Sequence, residues 1–349
     1  MKVLVAMSGG VDSSVAAALL VADGHDVVGV TMRLWGGESD TGCCSVADVE
    51  DARRVAQQLD IDHLVFNFTE DFDAAVVDPY VRAHVEGATP NPCIECNRSV
   101  KFARLAERAA VLGFDAVATG HHARTARRGG RWTLERGADR SKDQSYVVHM
   151  LDQAALGTTL FPVGDFPEKA QLRALAAELG LRTAAKPDSQ DVCFITSTGG
   201  RRDFLGRRMP FHPAAVVDTA GTPVGEVAAV ELVTIGQRRG LGLPGGGPKR
   251  FVVDIDRAAA VVVVGDEADV LRPGVAVRDV SWVDGPVAGP VRVQCSAHGV
   301  AQPATAELDG GVLAVRWDAP QRRVALGQSV VLYDATDTSV LGGGIAVGT

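Results

Sequence analysis

Short apolar runs alternate with amphipathic stretches through the first part of the chain. Strands are predicted from these runs at 3–6, 26–32, 63–68 and 115–119. Apolar residues recur at helical spacing after the first strand as far as Gly24, and again over 46–59, 71–86 and 100–112. Strands that alternate with helices predict a parallel sheet covered on both faces. The first part of the chain is therefore predicted to be an α/β domain with a doubly wound parallel sheet.

The pattern changes near residue 200, where short alternating runs separated by Gly and Pro replace the helices. The runs that predict strands lie at 214–217, 231–235, 251–255, 261–264, 291–293, 312–317 and 329–333. Short strands with frequent turn signals favour barrels. We therefore predict three domains, which are a catalytic α/β domain over 1–200, a small β-rich central domain over 201–270, and a C-terminal β-barrel over 271–349.

A glycine turn joins the first strand to the first helix, and residues 7–14 read Met-Ser-Gly-Gly-Val-Asp-Ser-Ser. Glycine lets the backbone approach a ligand closely, and the free N–H groups of a helix start attract phosphate. It is not a Walker loop, because no Gly-Lys-Ser/Thr follows. A turn without a ligand is the alternative, but the complete string favours nucleotide binding. Since ligands bind beyond the carboxyl ends of parallel strands, the turn, Met32 and Gly120 are expected to share one pocket.

Composition is that of a globular protein, with 46% hydrophobic and 22% charged residues among 349. No apolar run reaches the length of a membrane span and no signal-like segment opens the chain, so a cytoplasmic location is expected. The net charge of −8 offers no support for nucleic-acid binding. Local basic patches are present at Arg124, Arg127, Arg128 and Arg131, at Arg201, Arg202, Arg207 and Arg208, and at Arg238 and Arg239.

Six cysteines in such a protein indicate chemistry or metal binding and argue against a disulfide scaffold. Cys93 and Cys96 are spaced Cys-x-x-Cys, just ahead of a predicted helix start, where the pKa of a thiol falls. The pair could be a redox pair, half of a zinc site or part of an iron–sulfur site. Cys193 by itself is typical of a buried core thiol. Structural roles are expected for Cys43, Cys44 and Cys295.

Seven strings occur in a fixed order along the chain. They are residues 7–14, Thr89-Pro-Asn-Pro-Cys-x-x-Cys-Asn97, Ala118-Thr-Gly-His-His-Ala123, Lys142-Asp-Gln-Ser-Tyr146, Asp188-Ser-x-x-x-Cys-Phe-Ile195, Thr234-Ile-Gly-Gln-Arg-Arg-Gly-Leu-Gly242 and Leu341-Gly-Gly-Gly-Ile345. Together they resemble the tRNA-specific 2-thiouridylase family over essentially the whole length. This family belongs to the PP-loop ATP pyrophosphatases, whose catalytic domain has an adenine nucleotide α-hydrolase-like fold.

The resemblance implies a sulfurtransferase that 2-thiolates the wobble uridine, position 34, of tRNAs for Lys, Glu and Gln. ATP would adenylate the C2 oxygen, with release of pyrophosphate and later AMP, and Mg²⁺ is expected to offset the phosphate charge. The resemblance implies ATP contacts by Ala6, Met7, Ser8, Gly9, Gly10, Val11, Asp12, Ser13, Met32 and Gly120. It implies tRNA contacts by Asn91, Pro92, Cys93, His121, Lys142, Asp143, Gln144 and Gln328, and by the C-terminal barrel.

The same resemblance assigns Cys96 as the nucleophile and Cys193 as the carrier of a persulfide. Thiol exchange would release the thiocarbonyl and leave a Cys96–Cys193 disulfide. The sulfur donor would be a cysteine desulfurase or a sulfur-relay protein. No membrane partner is expected.

Two positions depart from the family pattern. Many members carry Asp in place of Cys93, so Cys93, Cys96 and Cys193 could instead hold an iron–sulfur cluster that accepts sulfide. The persulfide route is the preferred hypothesis. Cys295-Ser296 replaces a frequent Arg-Tyr pair implied to contact tRNA, so a contact there is in doubt. The competing interpretations are another adenylating PP-loop enzyme, such as a ligase or amidotransferase, and a non-catalytic RNA-binding module.

Overall fold

A computed structural model describes residues 1–35, 45–188, 192–195, 199–244 and 247–348. The strands are β1 Lys2–Ala6, β2 Asp26–Arg33, β3 Asp62–Asn67, β4 Ala116–Ala118, β5 Ala123–Arg128, β6 Arg131–Arg136, β7 Thr159–Leu160, β8 Ala214–Asp218, β9 Pro223–Val227, β10 Phe251–Asp256, β11 Val261–Gly265, β12 Leu271–Trp282, β13 Gly289–Gln294, β14 Gln302–Asp309, β15 Val312–Arg322, β16 Ser329–Tyr333 and β17 Ser339–Gly348.

The α-helices are α1 Val11–Ala22, α2 Val46–Gln58, α3 Thr69–Phe72, α4 Asp78–Glu86, α5 Pro92–Glu95, α6 Leu105–Val111, α7 Gln153–Gly157, α8 Lys169–Glu178 and α9 Gly200–Gly206. Two π-helical segments, Asp73–Val77 and Cys96–Arg104, connect neighbouring α-helices. Within the ranges that the structure covers, no helix combines the length and the apolar character needed to cross a membrane.

A five-stranded parallel sheet in the order β3-β2-β1-β4-β7 forms the centre of the first domain. The apolar run of β1 is fully buried, and β1 pairs with β2 on one side and β4 on the other. One face packs against α1, α2 and α8, and the opposite face packs against the helical segments between Phe68 and Ala109. This confirms the predicted α/β sheet. The strand order reverses at β1 and β4, where a ligand crevice is expected at the carboxyl ends.

The helix that carries Cys93 and Cys96 begins earlier than the periodicity predicted. Its first turn is α5, because the Asn91 side chain caps it by accepting a hydrogen bond from Cys93 N at 3.0 Å. Pro92 is tolerated at the first helical position, where its missing N–H would have no partner. The expectation that both cysteines precede the helix in a loop is therefore wrong. They lie in its first turns.

A second, four-stranded sheet has the order β10-β11-β8-β9. One predicted strand, 231–235, is wrong, because Val230–Leu232 forms a 3₁₀ turn instead. The buried Glu231 carboxylate accepts hydrogen bonds from His212 N at 3.1 Å and from His212 Nδ1 at 2.7 Å. These bonds to the preceding loop replace the strand ladder.

The C-terminal strands close into a barrel in the order β12-β15-β14-β13-β16-β17, and β12 also pairs with β17. The hairpin β5–β6, which the hydrophobic pattern did not predict, adds to β17 through the pairs Ser339–Glu135 and Val340–Leu134. Its turn residues Gly129 and Gly130 have φ of 55° and 82°, which is typical of a two-residue hairpin turn. A segment of the first domain thus extends the barrel sheet.

Candidate active site

The glycine turn leaves the start of α1 accessible to an anion. Gly9 has φ of 73° and lies against the Asp48 carbonyl, so a side chain there has no room. Gly10 is the N-cap of α1 and provides no side-chain cap. Ser8 N donates to Ser13 Oγ at 3.1 Å, which holds the turn closed on the helix. An uncapped helix start beside bare glycine backbone is suited to a phosphate group.

Gly120 completes this crevice from the neighbouring strand. It follows β4, and a Cβ atom on it would lie 2.6 Å from Ser13 N, so only glycine fits. On the other side, Thr31 Oγ1 donates to the Met7 carbonyl at 2.8 Å and ties β2 to the turn. Met32 is the next residue of β2 and is half-buried. The structure thus gathers the turn, Gly120 and Met32 at one edge of the sheet.

An ion cluster stands beside the turn. His122 Nε2 lies 3.0 Å from the Asp12 carboxylate, which Lys169 Nζ also contacts. Lys169 reaches Asp188 at 3.3 Å, and Asp188 also pairs with Lys142 at 2.9 Å. Burial raises the pKa of Asp12, but the His122 hydrogen bond and the Lys169 charge outweigh it and hold that pKa below its usual value. The ammonium group of Lys169 is thereby placed next to the uncapped start of α1.

Lys169 and His122 were not predicted from the sequence. Lys169 is the first residue of α8, where the helix dipole disfavours a positive charge, and its side chain is only 11% exposed. That unfavourable position was the available signal for Lys169. His122 is adjacent to the predicted His121, and nothing in the sequence distinguished it as a site residue.

His121 lies beside the crevice in an apolar setting. Its ring centroid is 5.7 Å from that of Phe102 and 6.2 Å from that of Phe161. Nδ1 is hydrogen-bonded to Thr119 Oγ1 at 2.8 Å. Burial lowers the pKa of His121 to about 3, so the ring is neutral at physiological pH.

The segment 142–144 lies between the crevice and the barrel. Gln144 Oε1 accepts from His122 N at 2.9 Å, and Asp143 is buried where it accepts from Gly137 N at 2.9 Å. Lys142 is the most exposed of the three residues. Asp143 and Gln144 therefore position neighbouring backbone, whereas the Lys142 side chain reaches solvent.

Arg136 fastens this segment to the barrel. Its buried guanidinium donates to Asp143 at 2.7 Å, to Asp337 at 2.7 Å and to Gln294 at 2.8 Å. It also lies 3.5 Å from the centroid of the Tyr333 ring, a cation–π contact. The barrel is thus connected through Asp143 and Gln144 to the ion cluster at the glycine turn.

The two cysteine motifs meet, although they are far apart in sequence. Val192 N donates to Cys93 Sγ at 3.4 Å across a separation of 99 residues. Cys96 is buried in the same apolar cluster that holds Cys193 and Phe194. Phe194 packs against surrounding rings with centroid distances of 5.0–6.1 Å, namely those of Trp35, Phe72, Tyr80 and Phe204. The aromatic cluster holds the Cys193 segment against the Cys93–Cys96 helix.

A cleft of about 470 Å³ opens beside these cysteines. Its wall combines Asn91 and Pro92 from the first domain, Thr234 from the connection between β9 and β10, and Ser296 and Gln328 from the C-terminal part of the chain. The junction is held by hydrogen bonds between the loops, since Gln328 Nε2 donates to the Thr89 carbonyl. The cleft is large enough for a nucleobase and its sugar. Three of the predicted tRNA contacts thus face one cavity.

Cys93, Cys96 and Cys193 lie in one part of the first domain, where the two cysteine motifs meet. Among the described residues, no group of three or more His, Cys, Asp or Glu side chains could hold a metal ion. Cys295 packs on the barrel core, and burial raises the pKa of its thiol to about 12. This environment is that of an unreactive thiol. Cys43, Cys44 and the stretch 189–191 lie outside the described residues.

The ion cluster predicts an acid dependence of stability. Burial raises the pKa of Asp188, but the hydrogen bond from Lys142 and the charge of Lys169 outweigh it and lower the pKa from 3.8 to about 2. The stabilisation is therefore present above pH 3.8 and is lost as the pH falls towards about 2. Asp188→Asn should remove this part of the acid-induced loss, measured by urea unfolding across that range. Asp165→Asn, at an exposed carboxylate, is the control, and identical profiles for Asp188→Asn and wild type would contradict the assignment.

The parallel sheet with this glycine turn at its reversal point defines a nucleotide-binding protein of the PP-loop class. Three family models match in succession: tRNA methyl transferase HUP domain over 1–197, tRNA methyl transferase PRC-barrel domain over 202–266, and Aminomethyltransferase beta-barrel domain over 272–346. The tRNA-specific 2-thiouridylase MnmA of Herpetosiphon aurantiacus is 47% identical over 98% of this chain and 97% of its own. That of Mycobacterium avium is 48% identical over 100% and 99%. The chain belongs to the tRNA-specific 2-thiouridylase family.

Solved structures match about half of the chain. The U34-tRNA thiolase NcsA from Methanococcus maripaludis, with its 4Fe-4S cluster, is 19% identical over 54% of this chain and 60% of that chain, with a TM-score of 0.36. A 4-thiouridine synthetase in complex with RNA and ATP is 21% identical over 55% and 44%, with a TM-score of 0.37.

Proposed function

We propose that this protein is the ATP-dependent sulfurtransferase that 2-thiolates the wobble uridine of tRNAs for Lys, Glu and Gln. The observation that carries the proposal is the meeting of Cys93 and Val192 beside a cleft of nucleobase size. The relatives named tRNA-specific 2-thiouridylase support the same reaction. We propose domain boundaries near 200 and 270, with the chemistry in the first domain and additional tRNA contacts in the C-terminal barrel.

ATP is proposed to bind at the glycine turn, with its phosphates at the start of α1 and its base towards Met32 and Gly120. Lys169 would contact the phosphates, and Asp12 offers a carboxylate to the Mg²⁺ that accompanies ATP. The uridine O2 attacks the α-phosphorus, a P–O bond breaks, and pyrophosphate leaves. An oxide is a poor leaving group, whereas the AMP that is now bound to the C2 oxygen is a good one.

Sulfur is proposed to arrive as a persulfide on Cys193, supplied by a cysteine desulfurase or a relay protein. The terminal sulfur attacks C2 and AMP departs, which leaves a disulfide bond between the base and Cys193. The Cys96 thiolate then attacks the Cys193 sulfur, and the base leaves as the thiocarbonyl. A Cys96–Cys193 disulfide remains, and an external dithiol must reduce it before the next turnover.

The persulfide route uses only Cys96 and Cys193, whereas a cluster mechanism would also need Cys93 as a ligand. Replacing Cys93 therefore distinguishes the two. Cys93→Ser should retain thiolation because Cys93 neither carries nor resolves sulfur. The measurement is turnover by anaerobically purified protein, with iron and acid-labile sulfide assayed in parallel. Stoichiometric iron that is required for turnover, together with an inactive Cys93→Ser protein, would contradict the persulfide route.

The function itself is tested by mass spectrometry of wobble nucleosides from cells depleted of the protein. Depletion should remove 2-thiouridine from the three tRNAs, and the wild-type gene should restore it. The Cys193→Ser gene should not restore it. Unchanged 2-thiouridine would contradict thiolation, and an ATP-dependent overall turnover that Cys193→Ser leaves fully intact would favour a PP-loop ligase.

The basic patches contribute unequally to an RNA surface. Arg128 pairs with Glu135 at 2.7 Å and Arg207 pairs with Asp203 at 3.0 Å, so acids offset part of their charge. Arg201 instead lines the cleft, where its guanidinium donates to the Leu232 carbonyl at 2.9 Å and forms no ion pair with a carboxylate among the described residues. We propose that Arg201 is the arginine of these patches that faces the anticodon.

A further inference from the structure

His84 on α4 has a hydrogen-bonding arrangement that the proposed reaction does not use. The residue is 1% exposed, yet it forms part of the cleft wall together with Asn91, Pro92 and Val192. Its Nδ1 lies 2.8 Å from the Tyr80 carbonyl, and its ring centroid is 4.4 Å from that of Tyr80. A carbonyl oxygen only accepts hydrogen bonds, so Nδ1 carries the proton.

The other ring nitrogen is consequently an acceptor. Burial lowers the pKa of His84, and the nearby charges of Arg201 and Arg257 lower it further, so the ring is neutral. With the proton on Nδ1, Nε2 presents a lone pair. This atom is buried and has no hydrogen-bond partner among the described residues. A buried acceptor without a donor is costly, and the cleft that His84 lines is the place from which a ligand can supply that donor.

We propose that His84 Nε2 accepts a hydrogen bond from the N3–H group of the target uracil and thereby selects uridine over cytidine. This inference rests on the proposed function and names the feature of the base that is recognised. N3–H is the only ring donor on the Watson–Crick edge of uracil. Cytosine has a lone pair at N3, which would face the lone pair of Nε2. C2 is bonded to N3, so the same hydrogen bond also fixes the position of C2 in the cleft. Val192 lines this cleft and is the residue before Cys193, the proposed sulfur carrier.

A second histidine provides a matched control. His149 is also fully buried, its Nδ1 lies 2.9 Å from the Tyr146 carbonyl, and its Nε2 likewise has no partner among the described residues. Burial lowers the pKa of His149 to about 4. It packs against Gly343 of the barrel and does not line the cleft. The two histidines thus share their local chemistry and differ in access to the base.

The experiment compares His84→Phe, His84→Gln and His149→Phe in the full-length protein. Affinity is measured for tRNA with U34 and for the same tRNA with C34, and kcat/KM of thiolation is measured with U34. His84→Phe should lower kcat/KM by about tenfold and reduce the U34 to C34 affinity ratio by a similar factor. His84→Gln, whose amide oxygen accepts, should keep most of the ratio. His149→Phe should leave the ratio unchanged.

The ratio separates recognition from a packing role. If His84→Phe weakened binding of both tRNAs by the same factor, so that the U34 to C34 affinity ratio stayed that of wild type, the inference would be overturned. Should His84→Phe fail to fold, a ratio for His84→Gln equal to that of wild type, with His84→Leu equal as well, would overturn it too. A wild-type protein that prefers U34 but forms no 2-thiouridine contradicts the proposed thiolation, while the affinity ratios still decide the role of His84.

Discussion

Replacing Cys193 with serine is expected to lower 2-thiouridine formation by at least about a thousandfold, because a hydroxyl cannot carry a persulfide. Binding of ATP should persist, since the glycine turn and Gly120 lie on other segments of the sheet edge. Single-turnover assays with persulfide donor, tRNA and ATP measure the rate. Cys96→Ser should be equally inactive, but for a different reason.

In Cys96→Ser the persulfide on Cys193 still attacks C2, but no thiolate is present to cleave the disulfide between the base and Cys193. The tRNA should therefore accumulate as a covalent adduct on Cys193, visible on non-reducing gels and released by dithiothreitol. Cys295→Ser is the matched control, because that thiol is half-buried in the barrel, where burial raises its pKa to about 12. It should thiolate at the wild-type rate. Wild-type turnover by Cys193→Ser would refute the assignment of the sulfur carrier.

Replacing Lys169 with methionine is expected to slow pyrophosphate release by about a hundredfold, the effect of removing one charged donor from a developing negative charge. Lys169 Nζ contacts Asp12 and Asp188 beside the start of α1, and ATP phosphates would face the same ammonium group. Methionine retains most of the apolar stem, so packing at the base of α8 is preserved. Pyrophosphate release in the presence of tRNA gives the rate.

Lys186→Met is the control for that experiment. Lys186 also bridges two aspartates, Asp48 at 2.6 Å and Asp51 at 2.8 Å, but it does not contact Asp12. It should lower stability and leave the rate of pyrophosphate release close to wild type. Equal loss of that rate in both variants would mean that charge balance around the sheet, and not a phosphate contact, explains the effect of Lys169.

The Arg136 contacts connect the barrel, through the segment 143–144 and His122, to the end of the sheet that carries the glycine turn. Arg136 binds Asp143 and Asp337, and the next residue after Asp143 holds the His122 backbone through its side chain. His122 in turn contacts Asp12. Residues at which the resemblance implies tRNA contact thus lie between the barrel and the crevice where we propose that ATP binds. The Asp143 side chain is buried and hydrogen-bonded to Arg136 and Gly137 N, so Asp143 positions neighbouring groups.

Sequence patterns were sufficient for the elements that depend on local information. The buried run of β1 and the helical spacing of α2 predicted the parallel sheet, because hydrophobic periodicity is set by neighbours in the chain. The periodicity missed the start of the Cys93 helix, because a cap by Asn91 and a proline define its first turn. It also missed the β5–β6 hairpin, since β5 is rich in arginine and β6 has only two large apolar residues, Trp132 and Leu134, between polar ones.

By itself, the sequence determined the α/β sheet, the glycine turn at its edge and the presence of two cysteine motifs. Tertiary structure alone decided that Cys93 meets Val192, that Lys169 meets Asp12, and that His84 and Gln328 share one cleft. The physical reason is chain separation. Lys169 and Asp12 are 157 residues apart, and such a contact depends on how whole sheets and helices pack, which no local pattern specifies.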